Sequence, residues 1–297
     1  MNYLFPLLAV VIWSGNTVVN KLAVGQIAPA EIGFFRWLLA GLLLTPFMLR
    51  ATLAHWPTIR ANLGKIVTLG LLGMAVYQCL AYYAAALTSA TNMGIILSLM
   101  PLMSLALASI LLGNRMSFAA LLGALVSLSG VLLVITQGNP QQLLSHGVNL
   151  GDGMMIFATL AYGVYGVLLK KWNLRLPPLV MLYLQVLVAI LALLPLYLVS
   201  PHTGLTASNL PLVLYAALFA SIVGALAWMQ GVARMGPSRM SLFFNLLPVL
   251  TAAIAAVVLG ERLTSYHLVG GALTLAGVLL AELWRPREKP AAAISAR

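Results

Sequence analysis

The chain is 297 residues long, 62% hydrophobic and only 7% charged, against about 45–50% and about 25% in an ordinary soluble domain. A water-soluble globule needs more charge than this to cover its outside, so a soluble fold is excluded. The net charge of +11 would raise the question of nucleic acid in a soluble protein; here the basic residues lie in short connections and at the C-terminal end, with no aromatic-interleaved patch. They read as topology signals and contacts to anionic lipid, with no nucleic-acid partner.

At about 20 residues per membrane-spanning helix, the chain accommodates ten spans joined by short loops. Hydrophobic runs bounded by Pro, Gly, Asn and charge place them over residues 3–23, 30–49, 65–86, 90–112, 117–136, 151–170, 178–199, 209–232, 238–259 and 265–284. The runs are continuous and rich in Leu and Ala, whereas a β-barrel would alternate in segments of about ten residues. The first run lacks a basic n-region and a small-residue cleavage site, so it reads as a span and not as a signal peptide.

In that first span Trp13, Asn16, Thr17 and Asn20 follow helical spacing and share one face. They wall either a substrate cavity or a hydrogen-bonded contact between helices. Lys21 and Arg36 are the cations nearest the membrane interior, and Glu31 lies between them in sequence. A Lys21–Glu31 or Arg36–Glu31 pair is expected to staple the first two spans, leaving one cation for a substrate carboxylate. The third span carries Tyr77 and Gln78 midway, and the eighth carries Trp228; at that depth interfacial anchoring does not account for them, and cavity lining is favoured over packing. For Tyr82 and Tyr83 packing is favoured over cavity lining.

Ser98 and Asn245 each precede a proline by three residues, Pro101 and Pro248. Proline frees a backbone carbonyl, which in a membrane must be satisfied by other groups. Asn245 would bond either that backbone or a solute, and the two proline helices are candidate gates. In the sixth span Tyr162 and Tyr165 form a further aromatic pair of the cavity wall.

With the N-terminus on one side, Arg50, Arg60, Lys65, Arg115, Lys170, Lys171, Arg175, Arg234, Arg239, Arg285, Arg287, Lys289 and Arg297 fall on that side, and only Lys21 and Arg262 on the other. Thirteen against two puts both termini in the cytoplasm. Asp152, Glu261, Glu282 and Glu288 fall at span ends or in the tail, so no carboxylate proton relay is expected at mid-membrane. His55, His146, His202 and His267 lack metal-ligand spacing, and no phosphate loop or nucleophile elbow occurs. Neither catalysis, a metal nor a cofactor is expected. The lone Cys79 reads as a small buried hydrophobe.

The second half repeats the first. At an offset of 149, Pro29 falls on Pro178, Pro46 on Pro195, Trp13 on Tyr162, Asn16 on Tyr165 and Lys21 on Lys170. At an offset of 147, Pro101 falls on Pro248, Gly113 on Gly260, Arg115 on Arg262, Gly123 on Gly270 and Gly130 on Gly277. Five spans per copy is an odd number, so the second copy must sit upside down in the membrane. The expected fold class is therefore an all-α integral membrane protein of ten transmembrane helices in two inverted five-helix repeats, with a substrate site near the midplane.

These residues resemble the ten-helix members of the drug/metabolite transporter superfamily, of the bacterial EamA type. The resemblance rests on Trp13-x-x-Asn16 with Lys21, on Arg36, on Ala86-Leu87-Thr88-Ser89-Ala90, on the Pro101 helix with Gly113-Asn114-Arg115, and on Pro248 with Leu259-Gly260-Glu261-Arg262-Leu263. It covers about residues 5 to 284; Asn114 stands where the pattern has an acid. It implies one repeat over 1–149, a second over 150–284 and a basic cytoplasmic tail over 285–297. It further implies a multi-pass carrier of the bacterial inner membrane that exports a small amphipathic metabolite, such as an amino acid, by alternating access. A broad exporter of drugs or organic cations is the alternative, although it would want an acid in the cavity; a non-transporting membrane protein is a third. Gly123, Gly130, Gly270, Gly271 and Gly277 permit close packing inside the monomer or between two copies, so a homodimer is one expectation.

Overall fold

The computed structural model describes residues 3–112, 118–139, 141, 148–235 and 242–283. Gly113-Asn114-Arg115, His146, Arg239, Glu288 and the basic tail lie outside the described residues, as do the side chains of Pro101, Arg234 and Glu282. Among the described residues there is no strand.

The helices are α1 Leu4–Leu22, α2 Pro29–Ala54, α3 Trp56–Ala61, α4 Leu63–Ala85, α5 Ala90–Leu97, α6 Met100–Leu112, α7 Phe118–Ile135, α8 Leu150–Trp172 and α9 Pro178–Val199. Then come α10, which opens at Leu210 and ends in the helical stretch Gly224–Met235, α11 Leu247–Leu259 and α12 Ser265–Leu283. Six of them are long and apolar enough to cross a membrane: α1, α2, α4, α8, α9 and α10. The stretches over α5–α6, α7, α11 and α12 are apolar but shorter.

Local chemistry sets the ends. Pro29 and Pro178 open α2 and α9, where a missing N–H costs nothing. Ser89 caps α5 by accepting from Asn92 N, and Asn149 caps α8 by accepting from Gly151 N. Asn173, with φ 34°, closes α8 in the left-handed conformation.

The structure departs from the expected spans in four ways. The second span continues through Pro46 to Ala54, with Thr45 donating back to Gly41 O at 2.7 Å beside the proline. The short amphipathic α3 then leads into α4. The fourth span breaks at Ser98–Leu99 rather than kinking, and the ninth enters through a 3-10 turn, Leu242–Leu246, just ahead of Pro248. Finally, α4 widens into a π-helical turn over Leu71–Val76, and α10 does the same over Tyr215–Val223.

The two halves interlock. α1 packs on α10 and α11, while α8 packs on α4, α5 and α6; α2 pairs with α9, α5 with α11, and α7 with α12. The α2–α9 contact holds a core of Phe34, Trp37, Ala40, Leu44, Leu182, Tyr183, Val186 and Ala189. At the α7–α12 contact the backbones nearly touch: a Cβ on Gly270 would lie 2.7 Å from Gly130 O. That is the approach small residues allow in membranes. Outward faces carry large apolar side chains in the open, among them Phe47, Ile110, Phe118, Val199 and Val257. An apolar exterior of this kind suits a hydrocarbon surround and not water.

Candidate functional site

Where α1, α2, α4, α8 and α10 meet, the bundle holds a cavity of about 110 Å³. The polar face of α1 supplies Trp13, Asn16, Thr17 and Asn20, α4 supplies Tyr77 and Gln78, and α8 supplies Tyr162. Arg36 and Trp37 come from α2, Ala220, Ser221 and Ala225 from α10, Phe244 from the 3-10 turn ahead of α11, and Leu247 from the first position of α11. Asn20 also borders a second, mostly apolar cavity of about 90 Å³.

The wall follows the internal repeat. Residues at equivalent positions line it from both halves: Trp13 and Tyr162 at the offset of 149; Gly73 and Ala220, Met74 and Ser221, Gln78 and Ala225, Leu97 and Phe244, Met100 and Leu247 at 147. The polar groups of the wall come mostly from the first half: Asn16, Thr17, Asn20 and Arg36 line it, while their equivalents Tyr165, Gly166, Leu169 and Gln185 do not. Among the described residues, Arg36 is the one charged side chain on the wall.

Hydrogen bonds and ring contacts hold this wall. The Trp13 indole donates to Ala220 O at 3.1 Å, within the π turn of α10, and its ring stacks on Phe244 at 5.6 Å. Tyr77 meets Tyr162 at 4.9 Å, and Tyr162 meets Tyr165 at 5.1 Å. Arg36 Nε donates to Ser221 Oγ at 2.7 Å, and Ser221 Oγ in turn donates to Ala216 O at 2.8 Å. One terminal nitrogen of Arg36 donates to Asn16 Oδ1 at 3.3 Å and to Tyr82 Oη at 3.5 Å.

Several expected site residues stand behind the wall. Tyr165 packs beside Tyr162 and against Gly73, and Trp228 packs on Trp13 and Phe244. Ser98 donates to Ile95 O at 2.6 Å. Asn245 is buried with neither amide atom partnered, so it does not bond the backbone freed by Pro248. Pro248 opens α11 and is buried, and Pro101 occupies the second position of α6.

The expected ion pairs are corrected. Glu31, 1% exposed, pairs with neither cation; it accepts from the backbone N–H groups of Thr203 and Gly204, each at 2.9 Å. Lys21 donates to Ala85 O and Thr88 O, each at 2.7 Å. Two unpaired amides of the α9–α10 loop outcompete a long, entropically free lysine for one carboxylate. Lys21 is thereby tied to a cluster of polar contacts between α4, α5 and α8. Thr88 Oγ1 donates to Asp152 Oδ1 at 2.5 Å, Glu261 accepts from Ala90 N and Thr91 N, and His267 meets Asn92 Oδ1 at 3.2 Å.

Trp37, Ser221, Phe244 and Tyr82 were not legible as site residues. Ser221 and Phe244 are the equivalents of the wall residues Met74 and Leu97, which read as apolar core in sequence, so the repeat carried no signal for them. Tyr82, expected to pack rather than to line the cavity, is buried in the core with its hydroxyl against Arg36.

The fold and the cavity define an integral membrane protein with a chamber lined by two sequence-related halves. The EamA-like transporter family matches the chain twice, over residues 1–136 and 149–283. The chain belongs to that family and is a transporter. It is 30% identical over 290 residues to an uncharacterized transporter of Bacillus subtilis, covering 95% of this chain and 93% of that one. It is 28% identical to a protein of Streptantibioticus cattleyicolor named a probable terminal-alkyne amino-acid exporter, covering 74% and 73%. With a Salmonella typhimurium protein named a probable amino-acid metabolite efflux pump it shares 26% identity, covering 92% of both. A solved crystal structure shares the fold with a TM-score of 0.66 at 19% identity, over 95% of this chain and 96% of that one.

Proposed function

We propose that this transporter is a secondary carrier of the bacterial inner membrane that exports a small amphipathic metabolite, such as an amino acid, by alternating access. In this reading ten spans form two inverted five-span repeats, both termini are cytoplasmic, and Trp13, Asn16, Thr17, Asn20, Tyr77, Gln78 and Tyr162 contact the solute. The observation that carries it is the composition of the cavity, with amides and a guanidinium beside aromatic rings, lined by residues of both halves that include six equivalent pairs. The helix contacts support it too. Exchanging the halves turns α1-on-α10/α11 into α8-on-α4/α5–α6 and leaves α2–α9 and α7–α12 unchanged, as expected when two repeats rock about a shared site. The relatives named as amino-acid exporters support the substrate class.

The basic distribution, thirteen against two, supports cytoplasmic termini and contact of that face with anionic lipid. A broad exporter of organic cations is disfavoured by a wall holding one arginine and, among its described residues, no acid. The test is counterflow in proteoliposomes with a panel of labelled amino acids. Acceleration of labelled uptake by unlabelled internal solute is expected. No trans-acceleration with any member, from protein that is folded by size-exclusion profile, would overturn the reading.

A further inference from the structure

Arg36 is 4% exposed on a helix inside the bundle. A guanidinium does not give up its proton, so a full positive charge is buried there, which is costly unless an anion answers it. Its protein partners are Ser221 Oγ, Asn16 Oδ1 and Tyr82 Oη, all neutral, and the Trp37 ring lies 4.9 Å from its central carbon. The acids with described side chains are engaged elsewhere: Glu31 with Thr203 and Gly204, Asp152 with Thr88 and Asn92, Glu261 with Ala90 and Thr91.

Among the described hydrogen bonds none reaches the second terminal nitrogen of Arg36, and its two protons remain for whatever enters. Trp37 Nε1 and Gln78 Nε2 are buried donors without partners, and both residues belong to the same wall. The acceptors are mostly taken. Asn16 Oδ1 and Ser221 Oγ hold Arg36, Asn20 Oδ1 accepts from Asn16, and Ala220 O accepts from Trp13. Gln78 adds a neutral amide, whose carbonyl alone does not balance a cation. The site therefore offers donors and one positive charge, with aromatic faces alongside.

We infer that the cavity selects an organic anion: a carboxylate seated on the free edge of Arg36, with an apolar body against Trp13, Tyr77 and Tyr162, and no requirement for an ammonium group. This deepens the carrier reading above and rests on it for the claim that the bound solute is the one moved. A carboxylate answers the buried charge and matches the planar fork of the guanidinium, while an amine brings a second cation into a chamber without an acid.

The experiment is equilibrium binding of labelled 3-phenylpropanoate to the purified full chain in chloride-free buffer, competed by 3-phenylpropanamide, phenylethylamine and phenylalanine. The carboxylate is expected to bind about tenfold to a hundredfold more tightly than the amide. Phenylethylamine should not compete, and phenylalanine should compete no better than 3-phenylpropanoate itself. Arg36→Gln should abolish the preference for carboxylate over amide. Because that variant disturbs three contacts, Asn16→Asp provides an isosteric control. It places a carboxylate beside the guanidinium and should raise Tm while removing 3-phenylpropanoate binding.

Absence of 3-phenylpropanoate binding, equal binding of amide and carboxylate, competition by phenylethylamine, or phenylalanine binding tenfold more tightly than 3-phenylpropanoate would each overturn the inference. Counterflow of a neutral or cationic solute without carboxylate binding would overturn it while leaving the carrier reading intact. The predicted binding order without any counterflow would do the reverse.

Discussion

Glu31→Gln is expected to destabilise the protein by about 2–4 kcal/mol. The carboxylate is wholly buried and takes Thr203 N–H and Gly204 N–H at 2.9 Å each, tying the start of α2 to the α9–α10 loop. An amide keeps one acceptor, so one bond falls from charged to neutral strength, a loss of about 1 kcal/mol. The other amide proton then faces an NH2 group and is stranded, at about 1–3 kcal/mol. A reversible unfolding titration in mixed detergent and SDS micelles would measure this directly. Lys21→Met should leave that penalty unchanged, because Lys21 is bonded to Ala85 O and Thr88 O; the double variant should be additive within about 0.5 kcal/mol. A Glu31→Gln protein within about 0.5 kcal/mol of the parent, or relief of more than about 1 kcal/mol by Lys21→Met, would refute the hydrogen-bond account and restore the ion pair.

Two adjacent glycines should behave oppositely: Gly270→Ala forces a Cβ to within 2.7 Å of Gly130 O, whereas the Cβ of Gly271→Ala meets only Ile95 Cδ1 at 3.7 Å. Loss of folded protein is expected for the first alone, with overpacking costing at least about 1–3 kcal/mol, as read by yield and thermal melting. Trp13→Phe keeps the aromatic packing but drops the indole bond to Ala220 O. A stability loss of about 1 kcal/mol with markedly slower counterflow is expected, and unchanged counterflow would remove that bond from the transport path. Tags on both termini should be reachable only from the cytoplasmic side, and external labelling of either would overturn the orientation.

Hydrophobic run length placed the helices closely: the expected run 178–199 is α9, Pro178–Val199, and 151–170 is α8, Leu150–Trp172. In a membrane the chain must satisfy its own backbone, so apolar length and helix length coincide. The polar face of α1 was legible for the same reason, because Trp13, Asn16 and Asn20 have few tolerable places in hydrocarbon. The π turns in α4 and α10 were not legible, since Leu71–Val76 and Tyr215–Val223 are apolar almost throughout and a shift of helical phase leaves no mark in such a run. Nor were the partners of Glu31: its two amides are over 170 residues away and belong to Thr203 and Gly204, whose backbone N–H groups carry no sequence signature. Trp37 was hidden beside Arg36 in an otherwise apolar run, where an indole reads as core.

The central claim, that one chamber shared by both halves opens alternately to the two sides, is tested most directly with a single cysteine. Asn16→Cys in a Cys79→Ser background, reconstituted in liposomes, would be exposed to a membrane-impermeant thiol reagent from one side at a time, with and without transported solute. The account predicts labelling from both sides, inhibition of counterflow by either, and protection by solute in both cases. Labelling from one side only, or labelling that leaves counterflow untouched, would contradict it.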